Sequence, residues 1–356
     1  MAGIRTLKVG IIGLGFGIRH ASTYVGIPQV RIVAMAEPDP THLPVPFEEL
    51  CRHYSARPYH DGVEMLENER LDAVSVCTNP ALHRPMVEAA ARKGVAVLVE
   101  KPMAGTVEDC DAMIAACERA GVPLHMEFPM RQLPALVELR RVIDEGKVGR
   151  PILVSGEYVG GLRPADHPWI WKMGDGSSPI NENTCHIIDT IGFLLRDANR
   201  VRAEGGNFTG RGAPTPDGAV CTLHFDSGAV AAVSGGAIAT DEMAVRPRLS
   251  LYGTEGQAYL EGIHHEFHRL VWARRGGPVV DKDYGGPKTL IYREGPYVAY
   301  SLIRPSLANF VDNVLNDRPP VVTGRDGREN VRICLAIVES IRTGKTIELR
   351  HPEVRS

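Results

Sequence analysis

Five short runs in the first third of the chain are almost continuously apolar: LKVGIIGLG (residues 7 to 15), VRIVAMAE (30 to 37), DAVSVCT (72 to 78), VAVLVE (95 to 100) and VPLHMEF (122 to 128). A strand with one wet face alternates apolar and polar side chains, whereas a strand covered on both faces has no such need. Between the runs lie helical patterns such as PMVEAAARKG and TVEDCDAMIAACERAG; the second has Thr106 to cap it, two acids in its first turn and Gly121 at its stop. Strands buried on both faces that alternate with helices imply a doubly wound parallel sheet, and hence an α/β domain over residues 1–125.

Beyond Phe128 the texture changes. PALVELRRVIDEGKVG reads as a helix, and PILVSGEYVGG, AVCTLHFDSGAVAAVSGGA, RLSLYGTEGQAYLEG and FHRLVWARR then alternate with period two. Turn signals at Asp226-Ser227-Gly228 and Thr254-Glu255-Gly256 separate them as antiparallel hairpins. The tail returns to helix (SLANFVDNVLND, GRENVRICLAIVESIRTG) and ends in a short strand, KTIELR. The second domain, residues 126–356, is therefore expected to be α+β with a large open antiparallel sheet.

At 356 residues the chain is long enough for about two domains. Lysine and arginine total 40 against 43 aspartate and glutamate, so no basic field exists for nucleic acid, and a small neutral partner fits better. No stretch approaches the ~18 apolar residues of a membrane span. The start lacks the longer apolar region and cleavage site of a signal peptide, so a cytoplasmic location is expected. The seven cysteines are scattered and form no C-x-x-C, which signals neither a disulfide framework nor a metal site. They are expected to be reduced and buried, Cys185 included.

The first run leads into VGIIGLGFGIRHA. Gly13 permits a tight turn, and Gly15 lets the backbone approach a pyrophosphate seated on the positive end of the following helix, beside Phe16. The usual third glycine position holds Ile18, with Gly17 one place early. The second run ends in Glu37, where an acid is placed to hydrogen-bond adenosine ribose hydroxyls. A 2'-phosphate about 4 Å from that carboxylate would cost about 4 kcal/mol at an effective dielectric near 20, so NAD is expected in preference to NADP.

The fourth run breaks off into Glu100, Lys101 and Pro102. A strand end here lies near the crevice where a nicotinamide sits. Lys101 is the candidate to reach the reacting carbon. A lysine held in a partly dry site near a cofactor cation has its pKa pulled down and can hydrogen-bond or exchange a proton with a substrate hydroxyl. Pro102 removes a backbone donor and fixes φ, which narrows the lysine's placement. Glu100 is open to three readings: a bond to the nicotinamide ribose, orientation of the lysine, or a surface salt bridge.

EKP, the glycine turn, CTNPALHRPMVEAAARKG, GKVGRPILV and PPVVTGRDGRENVRICLAIVESIRTGKTIEL together resemble the glucose-fructose oxidoreductase and inositol dehydrogenase family, Gfo/Idh/MocA, over nearly the whole chain. The resemblance implies a Rossmann domain followed by a substrate domain whose sheet also serves as an oligomer interface, and hence a homo-oligomer, dimer or tetramer. It places Thr78 and Asn79 against the nicotinamide-side ribose and phosphate, although the family's C-T-P-N order reads Cys77-Thr78-Asn79-Pro80 here, and His83, in its expected place, is a further candidate cofactor contact. Glu127 aligns with a position lining the nicotinamide pocket, a plain strand-end acid being the alternative. Trp171-Lys172 resembles a Trp-Arg pair that touches the cofactor.

In PINENTCHIIDTIGFLL, Glu182 and His186 lie four apart and share a helical face. The family segment D-x-G-x-H-x-x-D is matched at His186 and Asp189, while Glu182 replaces the aspartate and Thr184 the glycine. The resemblance makes His186 the general acid/base. Glu182 is open between orienting His186, binding a substrate hydroxyl and capping the helix. Asn183 is a candidate substrate ligand, and Asp189 is read as structural. Arg163, Asp166 and His167 are open between meeting sugar hydroxyls and a solvated loop.

The expected function is NAD-dependent hydride transfer that interconverts a secondary alcohol and a ketone on a sugar, cyclitol or related polyol, with Lys101, His186 and Glu182 as catalytic groups. Two alternatives stay open: a non-redox enzyme that keeps NAD bound, and a ligand sensor on the same fold.

Overall fold

The computed structural model describes residues 5–161, 170, 176, 178–212, 214–240, 242–285, 292–294, 297–299 and 301–349. The chain forms two compact units, residues 1–129 with 288–328, and residues 130–287 with 329–356.

The first unit is built on six strands, β1 Leu7–Ile12, β2 Val30–Ala36, β3 Arg57–Tyr59, β4 Ala73–Val76, β5 Ala96–Val99 and β6 Leu124–Met126. They are all parallel, in the order β3-β2-β1-β4-β5-β6. Every residue of β4 and β5 is buried, as their unbroken apolar runs require. The edge strand β3 has no such run: it is three residues long, holds Pro58 and is mostly exposed, so periodicity does not reveal it. Strand order reverses between β1 and β4, and the crevice beyond their carboxyl ends is where open α/β sheets bind ligands.

The core of this unit includes Leu7, Val9, Ile11, Tyr24, Met35 and Leu98. Ile303, Leu307, Phe310 and Val311, in and just before the helix Arg304–Leu315, complete it. Each large side chain buried there contributes about 1.5–3 kcal/mol. Residues 288–328 thus return to the first unit, a return that a single boundary after residue 125 does not anticipate.

The second unit carries strands β7 Pro151–Val159, β8 Ala198–Gly206, β9 Gly218–Phe225, β10 Val230–Gly236, β11 Arg248–Gly253, β12 Gly256–Ile263, β13 Glu266–Arg274 and β14 Val279–Asp283. A separate ribbon, β15 Tyr292–Glu294 and β16 Tyr297–Ala299, falls in the first unit, and β17 Ile347–Glu348 rejoins the second. The nine-stranded sheet runs β14-β13-β12-β11-β7-β10-β9-β8-β17. It is mixed rather than purely antiparallel: β7 and β10 pair in parallel at its centre, because the helix that follows β7 carries the chain back to the same end.

That helix opens with a π-helical turn, Ile180–Thr184, and continues as Cys185–Leu195. It lies hard against the sheet, since a Cβ on Gly156 would meet Ile187 at 2.8 Å and one on Gly235 would meet Thr184 at 2.4 Å. No described helix is long and apolar enough to cross a membrane.

Candidate active site

The predicted cofactor groups follow directly on strand ends along one edge of the first sheet: Gly13 after β1, Glu37 after β2, Thr78 two residues past β4, Lys101 two past β5 and Glu127 after β6. Gly13 has φ +84°, and a Cβ there would lie 2.7 Å from the Thr78 backbone nitrogen, so the reversal point tolerates only glycine. Gly15 is different. A Cβ on it would meet only His42 Nε2, at 3.9 Å, so its backbone faces open space at the start of the helix Leu14–Tyr24, whose first turn carries no acid. That arrangement suits a phosphate.

Gly17 performs the third-glycine role despite its shifted place. A Cβ on it would come within 2.9 Å of Ile11, so its absence lets the helix sit down on β1. Ile18, at the usual position, is instead a core residue, buried with Leu14 and Ala21. Phe16 packs partly against the same core, with the Arg19 guanidinium 4.7 Å above its ring.

Glu37 is buried and accepts from Leu14 N at 2.6 Å through Oε2 and from Asp39 N at 3.1 Å through Oε1. A carboxylate has about four lone-pair sites, so acceptor capacity remains for ribose hydroxyls. Thr78 Oγ1 is buried and makes no hydrogen bond among the described residues, which also fits a ligand group. Asn79 Oδ1 accepts from Ala81 N at 3.2 Å and caps the short helix Pro80–Leu82. The open backbone at Gly15, the spare capacity of Glu37 and the unmet Thr78 hydroxyl fit a dinucleotide.

His83, predicted to touch the cofactor, is fully buried with Nδ1 2.9 Å from Met103 O and Nε2 2.9 Å from Thr78 O. Both nitrogens face backbone carbonyls, with the ring's N–H serving one of them at a time, so the side chain is sealed between two loops rather than open to a ligand. Burial pulls its pKa below the usual imidazole value, against the pull of those carbonyls.

Glu100 is not a surface group. Its Oε1 accepts from Nε2 of the fully buried His20 at 3.0 Å, and its Oε2 accepts from Lys101 N at 3.0 Å. Of the three readings left open, orientation of the lysine fits best, acting on the backbone of Lys101, whose side chain is half-buried. His20 was missed by sequence reasoning, because a histidine on a helix carries no sign of a carboxylate eighty positions away. Glu127 is buried as well, and its Oε2 accepts from the Ser306 hydroxyl at 2.6 Å. Burial and the neighbouring Glu100 carboxylate hold its carboxyl well above the usual range, so it is an interior group rather than a surface acid.

In the second unit, Glu182 and Asn183 lie in the π-helical turn and His186 one turn further on. Such turns are rare and gather at functional sites. Asn183 Nδ2 donates to Gly236 O at 3.2 Å, which ties the turn to the sheet. Thr184, where the family pattern has glycine, fits because Gly235 across from it has no side chain. Asp189 is structural, as expected: Arg131 grips both its oxygens at 2.7–3.1 Å in a buried fork. Cys185 Sγ donates to Glu182 O, and all seven cysteines are buried and unbridged.

His186 has company that the sequence did not announce. The Tyr158 ring, fully buried on β7, lies 5.1 Å from the His186 ring, and its hydroxyl is hydrogen-bonded to His265 Nδ1. The rings of His186 and His265 are 6.5 Å apart. Arg163, Asp166, His167, Trp171 and Lys172 lie outside the described residues.

Residues 7–128 match the model of the family described as "Oxidoreductase family, NAD-binding Rossmann fold", and residues 136–259 match that of the "GFO/IDH/MocA C-terminal domain". D-apiose dehydrogenase of Paraburkholderia graminis is 28% identical over 362 residues, 99% of this chain and 92% of that one. 1,5-Anhydro-D-fructose reductase of Ensifer adhaerens is 30% identical over 292 residues, 80% of this chain and 82% of that one. Among solved structures, an oxidoreductase from Agrobacterium radiobacter in complex with NAD+, L-tartaric acid and magnesium superposes with a TM-score of 0.83 at 21% identity, over 96% of this chain and 98% of that one, a likeness of fold. With a Rossmann sheet in strand order, a glycine turn and both halves of the family pattern, the chain belongs to the Gfo/Idh/MocA oxidoreductases, whose N-terminal domain binds NAD.

Proposed function

We propose that this oxidoreductase interconverts a secondary alcohol and a ketone on a sugar, cyclitol or related polyol, with NAD as the partner of the hydride transfer. Bound NAD supplies the hydride acceptor at its nicotinamide. The chain binds and orients: the Gly13–Gly15 turn and the helix start hold the pyrophosphate, Glu37 the adenosine ribose, and Thr78 the nicotinamide side. Lys101 polarises the substrate oxygen, and His186 accepts its proton with the help of Glu182. Asn183, already bound to Gly236 O, is a substrate contact only through its remaining amide capacity.

The observation that carries this reading is the carboxyl edge of the first sheet, where Lys101 leaves β5 on a backbone clamped by a buried carboxylate. The names of the relatives, a sugar dehydrogenase and a sugar reductase, support the substrate class. A screen of inositols, aldoses and keto-sugars with NAD and NADP, read by absorbance of the reduced nicotinamide, tests it. Turnover with at least one polyol, faster with NAD, is expected. Tightly bound nicotinamide that undergoes no net reduction with any of them would instead favour the non-redox alternative. A cytoplasmic homo-oligomer, dimer or tetramer, completes the proposal, and sedimentation tests the assembly.

A further inference from the structure

The hairpin that joins β12 to β13 turns on two residues, His264 and His265, between the paired Ile263 and Glu266. Both have positive φ, 50° and 70°. Two-residue hairpins of this hand favour Asn-Gly or Asp-Gly, because at positive φ a Cβ crowds the following carbonyl, which Gly avoids altogether and Asn, Asp and His only in part. A hairpin closed by two histidines is therefore less stable than the sequence could make it, and such strain gathers where a side chain is needed in one place.

His265 meets Tyr158. Its Nδ1 shares a hydrogen bond with the Tyr158 hydroxyl, and the two rings lie 5.7 Å apart. Tyr158 is fully buried on β7 and presents its ring to His186 at 5.1 Å, tilted 36°. A tyrosine has two side-chain torsions, and packing around the ring together with the hydroxyl's bond to His265 restrains both. The fixed ring then forms the wall against which the His186 imidazole rests. We propose that His265 is a positioning residue for proton transfer at His186, acting through the Tyr158 ring that its strained hairpin holds in place.

This inference rests on the role proposed for His186, and the test separates the two. Two variants are compared with the wild type: His265→Phe, which keeps the ring and loses the hydrogen bond, and the paired change His264→Asn with His265→Gly, which gives the hairpin its preferred residues. In both, the kcat for polyol oxidation is expected to fall about tenfold while the KM for NAD stays unchanged. The paired variant should at the same time unfold at a higher temperature, since its strain is relieved. Adding Tyr158→Phe to His265→Phe should cost less than the sum of the two single changes, as both remove the bond that Tyr158 and His265 share. The ring-carbon proton of His186, assigned by its loss in His186→Asn, should shift in the NMR spectrum of His265→Phe as the Tyr158 ring is released.

A purely structural hairpin predicts the same gain in stability but full activity in the paired variant. Full activity in both variants, or a His186 resonance that does not move in His265→Phe, overturns the inference. If the wild type reduces no nicotinamide with any polyol, the proposed function fails, and the NMR shift by itself then decides whether His265 positions His186.

Discussion

The carboxyl edge of the first sheet and the helix face of the second unit both hold polar side chains still, but by different means. At the first, most partners are backbone: Glu37 is held by Leu14 N and Asp39 N, Glu100 by Lys101 N, and His83 by two carbonyls. At the second, Asn183 is tied to backbone, but Asp189 and His186 have side-chain neighbours far apart in sequence, Arg131 for the one and Tyr158, itself bonded to His265, for the other. A backbone-anchored site must keep its turns and strand ends, which leaves a contiguous motif. A site of side chain upon side chain leaves almost none, and it can be altered piece by piece, as Glu182 and Thr184 illustrate. In a dehydrogenase the cofactor is constant and the substrate varies, so each kind of anchoring falls where it suits.

The largest effect is expected at Lys101. Lys101→Ala should lower kcat by about a thousandfold or more, in the range of acid–base and electrostatic contributions, while NADH still binds with its fluorescence enhancement intact. Unchanged turnover would remove the first unit from the chemistry and leave it a cofactor cradle. His186→Asn should cost about a hundredfold in kcat with little change in cofactor affinity. A loss confined to KM would make the second unit a binding surface alone.

Glu37→Ala should lower the ratio of kcat/KM for NAD over NADP by about ten- to a hundredfold, less than the full Coulombic cost because solvent screens part of it. An unchanged ratio would mean that backbone anchoring at this edge holds the carboxylate for the turn and not for the ribose. Gly13→Ala should destabilise the chain by about 2 kcal/mol, from positive φ and the clash with Thr78 N, as read by urea unfolding. A neutral result would show that the turn gives way to a Cβ beside Thr78 N.

The smallest effect concerns pH. The folded chain keeps a proton on Glu127 that the unfolded chain releases near 4.5, so this group makes stability fall as pH rises from about 4.5 toward its raised value. Glu127→Gln does not titrate and should flatten that fall, which urea midpoints at about pH 5 and about pH 8 will show. Parallel behaviour of variant and wild type would mean that Glu127 titrates as an ordinary acid despite its burial.

Much of the first unit was legible in the sequence for a physical reason: strands buried on both faces must be apolar throughout, and a dinucleotide turn must spare room for its phosphates. Gly13 and Glu37 directly follow strand ends, Gly15 opens the helix after Gly13, and Lys101 lies two residues past β5, all at the carboxyl edge. The short edge strand Arg57–Tyr59 obeys neither rule and went unseen. The helix Arg304–Leu315 was legible as a helix, but its apolar face does not say which core it joins. His83 and Glu127 show the limit of reading a role from a position. A histidine or an acid near a strand end looks the same in sequence whether it faces a ligand or is sealed inside, and only partners such as Met103 O and Ser306 distinguish the two. The parallel pairing of β7 with β10 was hidden too, since alternation reports which face of a strand is buried but not its direction.

The central claim is that hydride passes directly between a polyol carbon and the nicotinamide. Single turnover with a polyol deuterated at the carbon that bears the reacting hydroxyl, followed by mass spectrometry of the cofactor, tests it. The account predicts one deuterium in the reduced nicotinamide for each ketone formed. Ketone or any other product appearing with no deuterium in the cofactor would contradict it.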